Sequence, residues 1–526
     1  MGVDDSGRGR KRALGALAAL GAIASLSLAA ASAEALVGSS GLGDSIFPGA
    51  GNGGYDVYSY NLNLGYMRDR TDPVEIDATM RIRARAVQNL DRFNLDLHGP
   101  LQVGRVKVNG ARATVRRVGA ELRITPAHQL ERDKPFKVVV PYHGVPTPRR
   151  GSFPPSDVMP PRDGWQTSDD GTIVIAEPYG ASTWMPVNDH PQDVALWRIK
   201  ATVPSSLAAI SNGQLRSRVR HGNRTTWSWR TDQPRPIYLA TLAVGHYRIF
   251  DQRVAKLPTM IAIEDAVGRY PVKRLMHQMT AAIALLRREL GPFPAIQTGA
   301  IVQTVFEDYI FETYTRPTYG EHPPEKWQVV HELAHEYFGN SVRLADWSET
   351  WLNEGPTTWA EWLDSDRATG TRHRSFASSF ASIYNQHSKS DPFWQIAIGA
   401  PDNEVDLFSD SVYLRGGMTL YALQLKVGEP TMLEIMRTWI RDYSGQPVRT
   451  EDFIALAELI SGQDLSGLFN DWLYTPAKPP DPRPAVQRLR SEVTARLCPI
   501  AGISRAVNDL VCSLNIPPYL TPDGAG

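Results

Sequence analysis

Val330-His331-Glu332-Leu333-Ala334-His335, followed by Trp351-Leu352-Asn353-Glu354-Gly355, carries the decisive chemistry of this chain. Two histidines four positions apart project from one face of a helix. Two imidazoles and a carboxylate make a hydrolytic zinc set that leaves a fourth position for water. Glu332 then stands beside that water, where a general base is needed. The run is predicted helical. Pro323 and Pro324 suit a start, Gly339 suits a stop, and Trp327, Val330, Leu333, Ala334 and Phe338 form an apolar stripe at helical spacing. That stripe anchors the helix in a core, so its polar residues face a site. Eighteen residues separate His335 from Glu354, enough for a loop and a return to the metal. Glu354 opens a second apolar-patterned segment that runs to Leu363. A surface helix with two polar histidines is the plain alternative, and the stripe and the downstream carboxylate weigh against it.

The 526 residues are enough for two or three domains, with 42% hydrophobic content and 13 tryptophans for a large core. Lys and Arg number 56, as do Asp and Glu. No basic tract in the mature part points to nucleic acid. Arg8, Arg10, Lys11 and Arg12 precede an apolar stretch from Ala13 to Ala30, and Ala31-Ser32-Ala33 fits a cleavage site. Export with the signal removed near Ala33 is therefore expected. An uncleaved anchor is the rival, disfavoured because Ala, Gly and Ser make the stretch weakly hydrophobic. No other segment has the length to span a membrane. Cys498 and Cys512 form a disulfide in an oxidising compartment or remain two free thiols.

Residues 1–33 read as the signal peptide and 34–54 as a flexible segment, because Gly38 to Gly54 is rich in Gly and Ser. In 55–256, Val74, Ile76, Ala78, Met80, Ile82 and Ala84 alternate with polar residues, the period-2 pattern of a strand with one solvated face. Phe136 to Tyr142, Thr172 to Ala176, Thr225 to Arg230 and Ile237 to Val244 add strand candidates, so this part is predicted all-β. Thr259 to Ile263 opens the next domain, 257–474. There Pro271 starts a helix with Leu275, Met279, Ile283 and Leu286 on one side, ended by Gly291 and Pro292. Residues 475–526 read as a proline-rich linker and a short tail.

His331-Glu332-x-x-His335, eighteen residues, then Asn353-Glu354-Gly355 resembles the M1 family of zinc aminopeptidases, over about Tyr55 to Tyr474. Thermolysin-like enzymes place their downstream glutamate at a slightly different spacing. Metzincins have a third histidine shortly after the second, and none follows His335 there. The resemblance implies a multidomain α+β fold: an N-terminal all-β saddle-like domain, then a mainly helical thermolysin-like catalytic domain. It implies one zinc ion per chain on His331, His335 and Glu354. Val412-Tyr413-Leu414-Arg415-Gly416 is similar to the family's Tyr-x-Lys-Gly segment, which makes Tyr413 the oxyanion donor and leaves Arg415 in place of lysine with its charge kept. Phe311-Glu312-Thr313 stands nineteen residues before His331 in the place of the Gly-x-Met-Glu-Asn segment, with Tyr309 and Thr313 departing from it. Glu312 thereby becomes a receptor for the substrate α-ammonium, Glu307 being a rival of poorer context. Glu177, in Ala176-Glu177-Pro178-Tyr179-Gly180, precedes Trp184-Met185-Pro186, another landmark of the family, and would grip the same amine. Glu361, two turns after Glu354, resembles a carboxylate that orients a zinc histidine, a solvated helix charge being the alternative. Pro356 departs from relatives at a position where a first helical turn tolerates proline. His190, His246 and His322 lack ligand spacing.

The expected activity is zinc-dependent removal of N-terminal residues from peptides with a free amine. Glu332 is the base that takes the water's proton and returns it to the leaving amine. Two alternatives share the zinc motif: an endopeptidase without an amine clamp, and a catalytically weak binding protein on the same fold. Epoxide hydrolysis on a lipid, a branch of the same family, ranks below both.

Overall fold

The computed structural model describes residues 36–67, 74–151, 162–168, 170–305, 310–369 and 374–484. The expected signal peptide, Glu307, Tyr309, both cysteines and the tail beyond 484 lie outside the described residues. The chain is multidomain α+β, a sheet-rich N-terminal part followed by a helical part. Among the described residues no helix is long and apolar enough to cross a membrane.

The N-terminal part is organised around β1 (Tyr55–Met67) and β2 (Glu75–Ala86), which pair antiparallel from Tyr55↔Ala86 to Met67↔Glu75. The alternation read in β2 is realised: Ile76, Ala78, Met80, Ile82 and Ala84 are buried, and Asp77, Arg81 and Arg83 are exposed. Strand Pro135–Gly144 extends the sheet beyond β2, and Val194–Pro204 runs parallel to β1 on its other side, followed by Arg224–Arg230 and Gln214–His221. A second sheet, with Arg162–Thr167, Thr172–Ile175, Leu242–Gly245 and Ala208–Ser211, carries the Glu177 loop at one end. The strand expected over Ile237 to Val244 forms only as Leu242–Gly245. Pro236, at the φ of −57° that its ring dictates, feeds a tight 3-10 turn at Ile237–Leu239 instead.

Tyr247–Val254 forms a hairpin with Leu257–Glu264 through Ala255 and Lys256, both in left-handed conformation (φ 47° and 71°). A boundary at 256/257 would cut that hairpin, whose second strand pairs in parallel with Thr298–Val302 in the small sheet beneath the helices. Residues 36–54, expected to be flexible, are pinned. Phe47, Ala50 and Asn52 are buried. The Asp44 carboxylate accepts from Ile46 N (2.9 Å), Phe47 N (2.7 Å), Trp347 N (2.8 Å) and His190 Nε2 (3.0 Å). Glycine and serine here permit tight turns around a charged anchor that composition does not reveal. The proline-rich stretch from Thr475 is likewise docked: Lys478 Nζ donates to Tyr384 O (2.5 Å) and His387 O (2.7 Å), and the Arg483 guanidinium lies 5.2 Å from the Phe380 ring centroid.

The helical part runs α1 (Val272–Leu290), α2 (Lys326–Ala334), α3 (Trp351–Thr369), α4 (Arg374–Gln386), α5 (Gly416–Val427), α6 (Glu429–Tyr443) and α7 (Thr450–Ser461). Leu275, Met279, Ile283 and Leu286 form the buried side of α1, and Gly291 ends it at φ 106°. Gly355 in α3 faces Gly416 at the start of α5. A Cβ built on Gly355 would lie 3.0 Å from the Gly416 carbonyl carbon, so the absence of side chains lets the two backbones touch.

Candidate active site

The helix α2 starts on a capping box, with Glu325 N donating to Gln328 Oε1 at 2.8 Å. Val329, Val330, Leu333 and Ala334 are buried against the core. This turns His331, Glu332 and His335 into an interior site, where all three are buried as well. The α-helix ends at Ala334. His335 keeps helical dihedrals as its cap, with its N–H on His331 O, and Gly339 reverses the chain at φ 96°. The helix α3 then returns with Glu354 in its first turn.

Each imidazole is oriented through its Nδ1. His331 Nδ1 lies 2.6 Å from Glu361 Oε1, and His335 Nδ1 lies 3.2 Å from Phe338 O. With Nδ1–H donating to those acceptors, both Nε2 atoms present lone pairs to Glu354 Oε2, at 3.2 Å from His331 and 3.4 Å from His335. One ligand atom from each of the three residues falls within 4.8 Å of the others. Three acceptors this close repel one another unless a cation sits between them, so the donor set fits a metal, and its N/O composition fits zinc. The electrostatics agree. Burial alone would lower both imidazole pKa values, yet Glu354 and Glu361 raise that of His331, and Glu354 and Glu312 raise that of His335. Burial would raise Glu354, but His335 and His331 hold it at about 2. The cavity is a receptor for positive charge. Thr357, one turn on in α3, donates its hydroxyl to the backbone Glu354 O at 2.7 Å.

Around the triad, the Glu332 carboxyl is pushed up to about 8 by burial, against the pull of His331 and His335, and its Oε2 has no hydrogen-bond partner. Tyr413 sits in a widened helical turn, Ser411–Arg415, with its ring stacked on His331 at 5.9 Å between centroids. Glu361 is buried with its Oε1 against His331 Nδ1, so it is not a solvated helix charge.

Glu177 and Glu312 meet although 135 positions separate them in the chain. Both are buried and share a hydrogen bond, and each keeps Oε1 without a partner. Burial raises both carboxyl pKa values, that of Glu177 well above its ordinary value, and Glu354 raises each further, with His335 opposing the rise at Glu312. The Glu312 loop is tightly wired. Thr313, where asparagine was the pattern, uses its hydroxyl inside the turn, 2.5 Å from Arg316 O. Thr315 adopts φ 64° and donates its N–H to Glu336 Oε1 at 2.7 Å. Glu336, next to His335 in sequence, has no spacing that marks it; it ties the turn after α2 to the Glu312 loop. Pro356 lies inside α3. His190 is spoken for by Asp44, and His246 Nδ1 lies 2.5 Å from Asp170 Oδ1, consistent with structural histidines.

A sheet-rich part followed by a helical part with a buried His-His-Glu triad resembles the zinc metallopeptidases. Residues 321–472 match the peptidase family M1 domain. A solved M1 zinc metallopeptidase from Deinococcus radiodurans superposes with a TM-score of 0.74 at 27% identity, over 85% of this chain and all of that one. A mutant of the same protein bound to a Tyr-Ser-Ala substrate gives 0.75 at 26% identity, over 84% of this chain and all of that one. Aminopeptidase M1-D of Oryza sativa subsp. japonica is 26% identical over 319 residues, 56% of this chain and 36% of its own length. Leucyl aminopeptidase of Saccharolobus solfataricus is 23% identical over 343 residues, 59% of this chain and 42% of its own. The chain thus spans well under half the length of these curated relatives. Over these residues it is similar to peptidase family M1, and its triad has the donor set for a single zinc ion.

Proposed function

We propose that the chain is a zinc aminopeptidase that removes the N-terminal residue of peptides. The observation carrying this reading is the buried Glu177–Glu312 pair beside the triad, with two carboxylate oxygens lacking partners. Unpartnered buried carboxylates are costly, and an ammonium with three N–H donors satisfies them. A zinc ion on His331, His335 and Glu354 supplies Lewis-acid activation of water and of the scissile carbonyl. Glu332 takes the proton of the attacking water at its free oxygen and returns it to the leaving nitrogen. Tyr413 donates its hydroxyl to the carbonyl oxygen as charge develops there. Glu177 and Glu312 hold the substrate ammonium, so the first peptide bond is the one presented. The basic residues and apolar stretch at the amino terminus support export beyond the cytoplasmic membrane, with cleavage near Ala33.

The test is a panel of fluorogenic aminoacyl amides, each with a free or acetylated amine, with and without chelator. Chelator-sensitive cleavage of the free-amine set alone is expected, and Glu332→Gln should abolish it while zinc stays bound. Equal cleavage of capped and free substrates would instead identify an endopeptidase. No cleavage of any substrate at full zinc occupancy would identify a binding protein.

A further inference from the structure

Arg149 joins two loops that lie far apart in the chain. Its Nε lies 3.1 Å from Asp163 Oδ1 and 3.0 Å from Asp163 Oδ2, and its Nη2 lies 2.7 Å from Asp163 Oδ2. The same Nη2 lies 2.7 Å from Glu404 Oε1, 255 positions away. All three side chains are largely shielded, with 16%, 2% and 12% of the Arg149, Asp163 and Glu404 side chains exposed. The guanidinium also sits 5.5 Å from the Phe47 ring centroid and 5.7 Å from that of Tyr179. Such a planar, forked, multiply bonded cation fixes distance and angle together.

On one side of Arg149, Asp163 Oδ2 accepts the N–H of Tyr179 at 3.3 Å, two residues after Glu177. The loop has no slack. Gly180 N donates to Ala176 O at 2.7 Å, and a Cβ on Gly180 would lie 2.5 Å from Gly164 N, beside Asp163. On the other side, Glu404 begins the segment Glu404 to Tyr413. There Leu407 N donates to Glu404 O, Leu407 and Phe408 are buried, and Val412 N donates to Ser409 O. The Glu177 loop and the segment that leads into the Tyr413 turn therefore share one cation.

We infer that Arg149 is a positioning residue that fixes the spacing between the Glu177 loop and the Tyr413 turn. The inference rests on the aminopeptidase reading, in which those two elements hold the substrate amine and its developing oxyanion. They must then stand one residue length apart, and a misplacement of about 1 Å can cost roughly a hundredfold in rate. Arg149 does not touch the substrate in this scheme. It acts by keeping the amine held at the distance from which the carbonyl meets Tyr413.

Three zinc-loaded variants test this. Glu404→Gln cuts the helical side only. Arg149→Met with Asp163→Asn removes the bridge and neutralises Asp163, and the triple variant combines both changes, so that the shielded Glu404 carboxylate is not left without its cation. Rates are expressed per bound zinc, with thermal melts alongside, so misfolded protein does not count as slow enzyme. Expected is a fall in kcat of about tenfold or more in each, with KM and free amino-acid inhibition within about twofold, because the loss falls on the transition state. The triple variant should fall no further than the double, since the bonds act as one unit. Unchanged kcat in folded variants, or losses that multiply in the triple, overturns the inference while a wild-type preference for free amines leaves the aminopeptidase reading standing. Equal wild-type cleavage of capped and free substrates overturns both.

Discussion

Glu361 offers the most direct measurement of how this fold tunes its metal. The carboxylate is buried in α3 and lies 2.6 Å from His331 Nδ1, so it accepts a hydrogen bond from Nδ1–H, the tautomer that leaves Nε2 free to ligate. Glu361→Gln keeps the volume and an acceptor oxygen but removes the charge. A hydrogen bond to a charged group contributes about 1.5–3 kcal/mol and a neutral one about 0.5–1.5 kcal/mol, so the loss is about 1–2 kcal/mol, or roughly 5–30-fold in zinc affinity. Glu361→Ala also removes the acceptor and frees the ring to turn, and should approach roughly a hundredfold. Competition for zinc against a chelator of known affinity, at fixed pH, reads both values without reference to catalysis. Zinc dissociation constants within twofold of wild type for the alanine variant would refute the claim that Glu361 orients His331. A loss in the glutamine variant as large as in the alanine one would place the effect wholly in charge and not in ring orientation.

Other perturbations probe different parts of the argument. Asp44→Ala leaves three peptide N–H groups and His190 without their acceptor and should destabilise the fold by about 4 kcal/mol. Urea unfolding followed by tryptophan fluorescence checks this, and a cost below about 1 kcal/mol contradicts the anchoring role. Burial pushes the Asp44 carboxyl up, but the bonds from His190, Trp347 and Phe47 bring it below its ordinary value of 3.8. A depressed carboxylate stabilises above its unfolded pKa and loses that contribution as pH falls through the folded one, so wild type and variant should converge only in strong acid. Gly355→Ala drives a methyl against the Gly416 backbone, parting α3 from α5 beside Glu354. A melt should report a loss of about 1–3 kcal/mol, and zinc binding should weaken with it. Residues 257–474 contain 29 Asp and Glu against 17 Lys and Arg. For a cationic aminoacyl amide, kcat/KM should therefore fall several-fold between about 0.02 and 0.5 M salt while kcat holds, and a flat profile would exclude steering by this field.

What was legible in the chain is what local pattern encodes. The alternation in β2, the stripe on α2 and the apolar side of α1 each follow from a period that burial imposes, and each is present. The triad was legible because His331, His335 and Glu354 lie on two consecutive helices, where spacing translates into geometry. The pinned segment around Asp44 was not. Its glycines and serines carry the composition of a loose tail, while its order comes from Trp347 N–H and His190, contacts 303 and 146 positions away. The Arg149 bridge is hidden for the same reason. Nothing near Arg149 distinguishes it from Arg150, and only the fold brings Glu404 to it. The hairpin Tyr247–Val254 with Leu257–Glu264 shows a subtler limit: the change from strand to helix pattern lies downstream of the point where the small sheet begins.

Arg415 shows why a chemical match can be right in residue and incomplete in role. Read beside a lysine pattern, it keeps a positive charge near Tyr413. In the structure it is fully buried, and its guanidinium donates to five backbone carbonyls: Trp472, Trp394, Ile396, Asp471 and Thr475, at 2.7–3.1 Å. All five of its N–H donors are thereby used. Burial lowers its pKa to about 10. A cation bonded to carbonyl dipoles, and not to a carboxylate, contributes geometry more than field. It fastens the turn carrying Tyr413 to two distant stretches, 394–396 and 471–475. An ammonium has three donors on a flexible stem and would leave carbonyls of those stretches unpaired, so the two cations are not interchangeable here. The turn that carries Tyr413 is thus held from behind by Arg415, while the segment leading into it meets Arg149 through Glu404. Tyr413 itself needs only to be a tyrosine at the right place in the chain, which is the part that local sequence can specify.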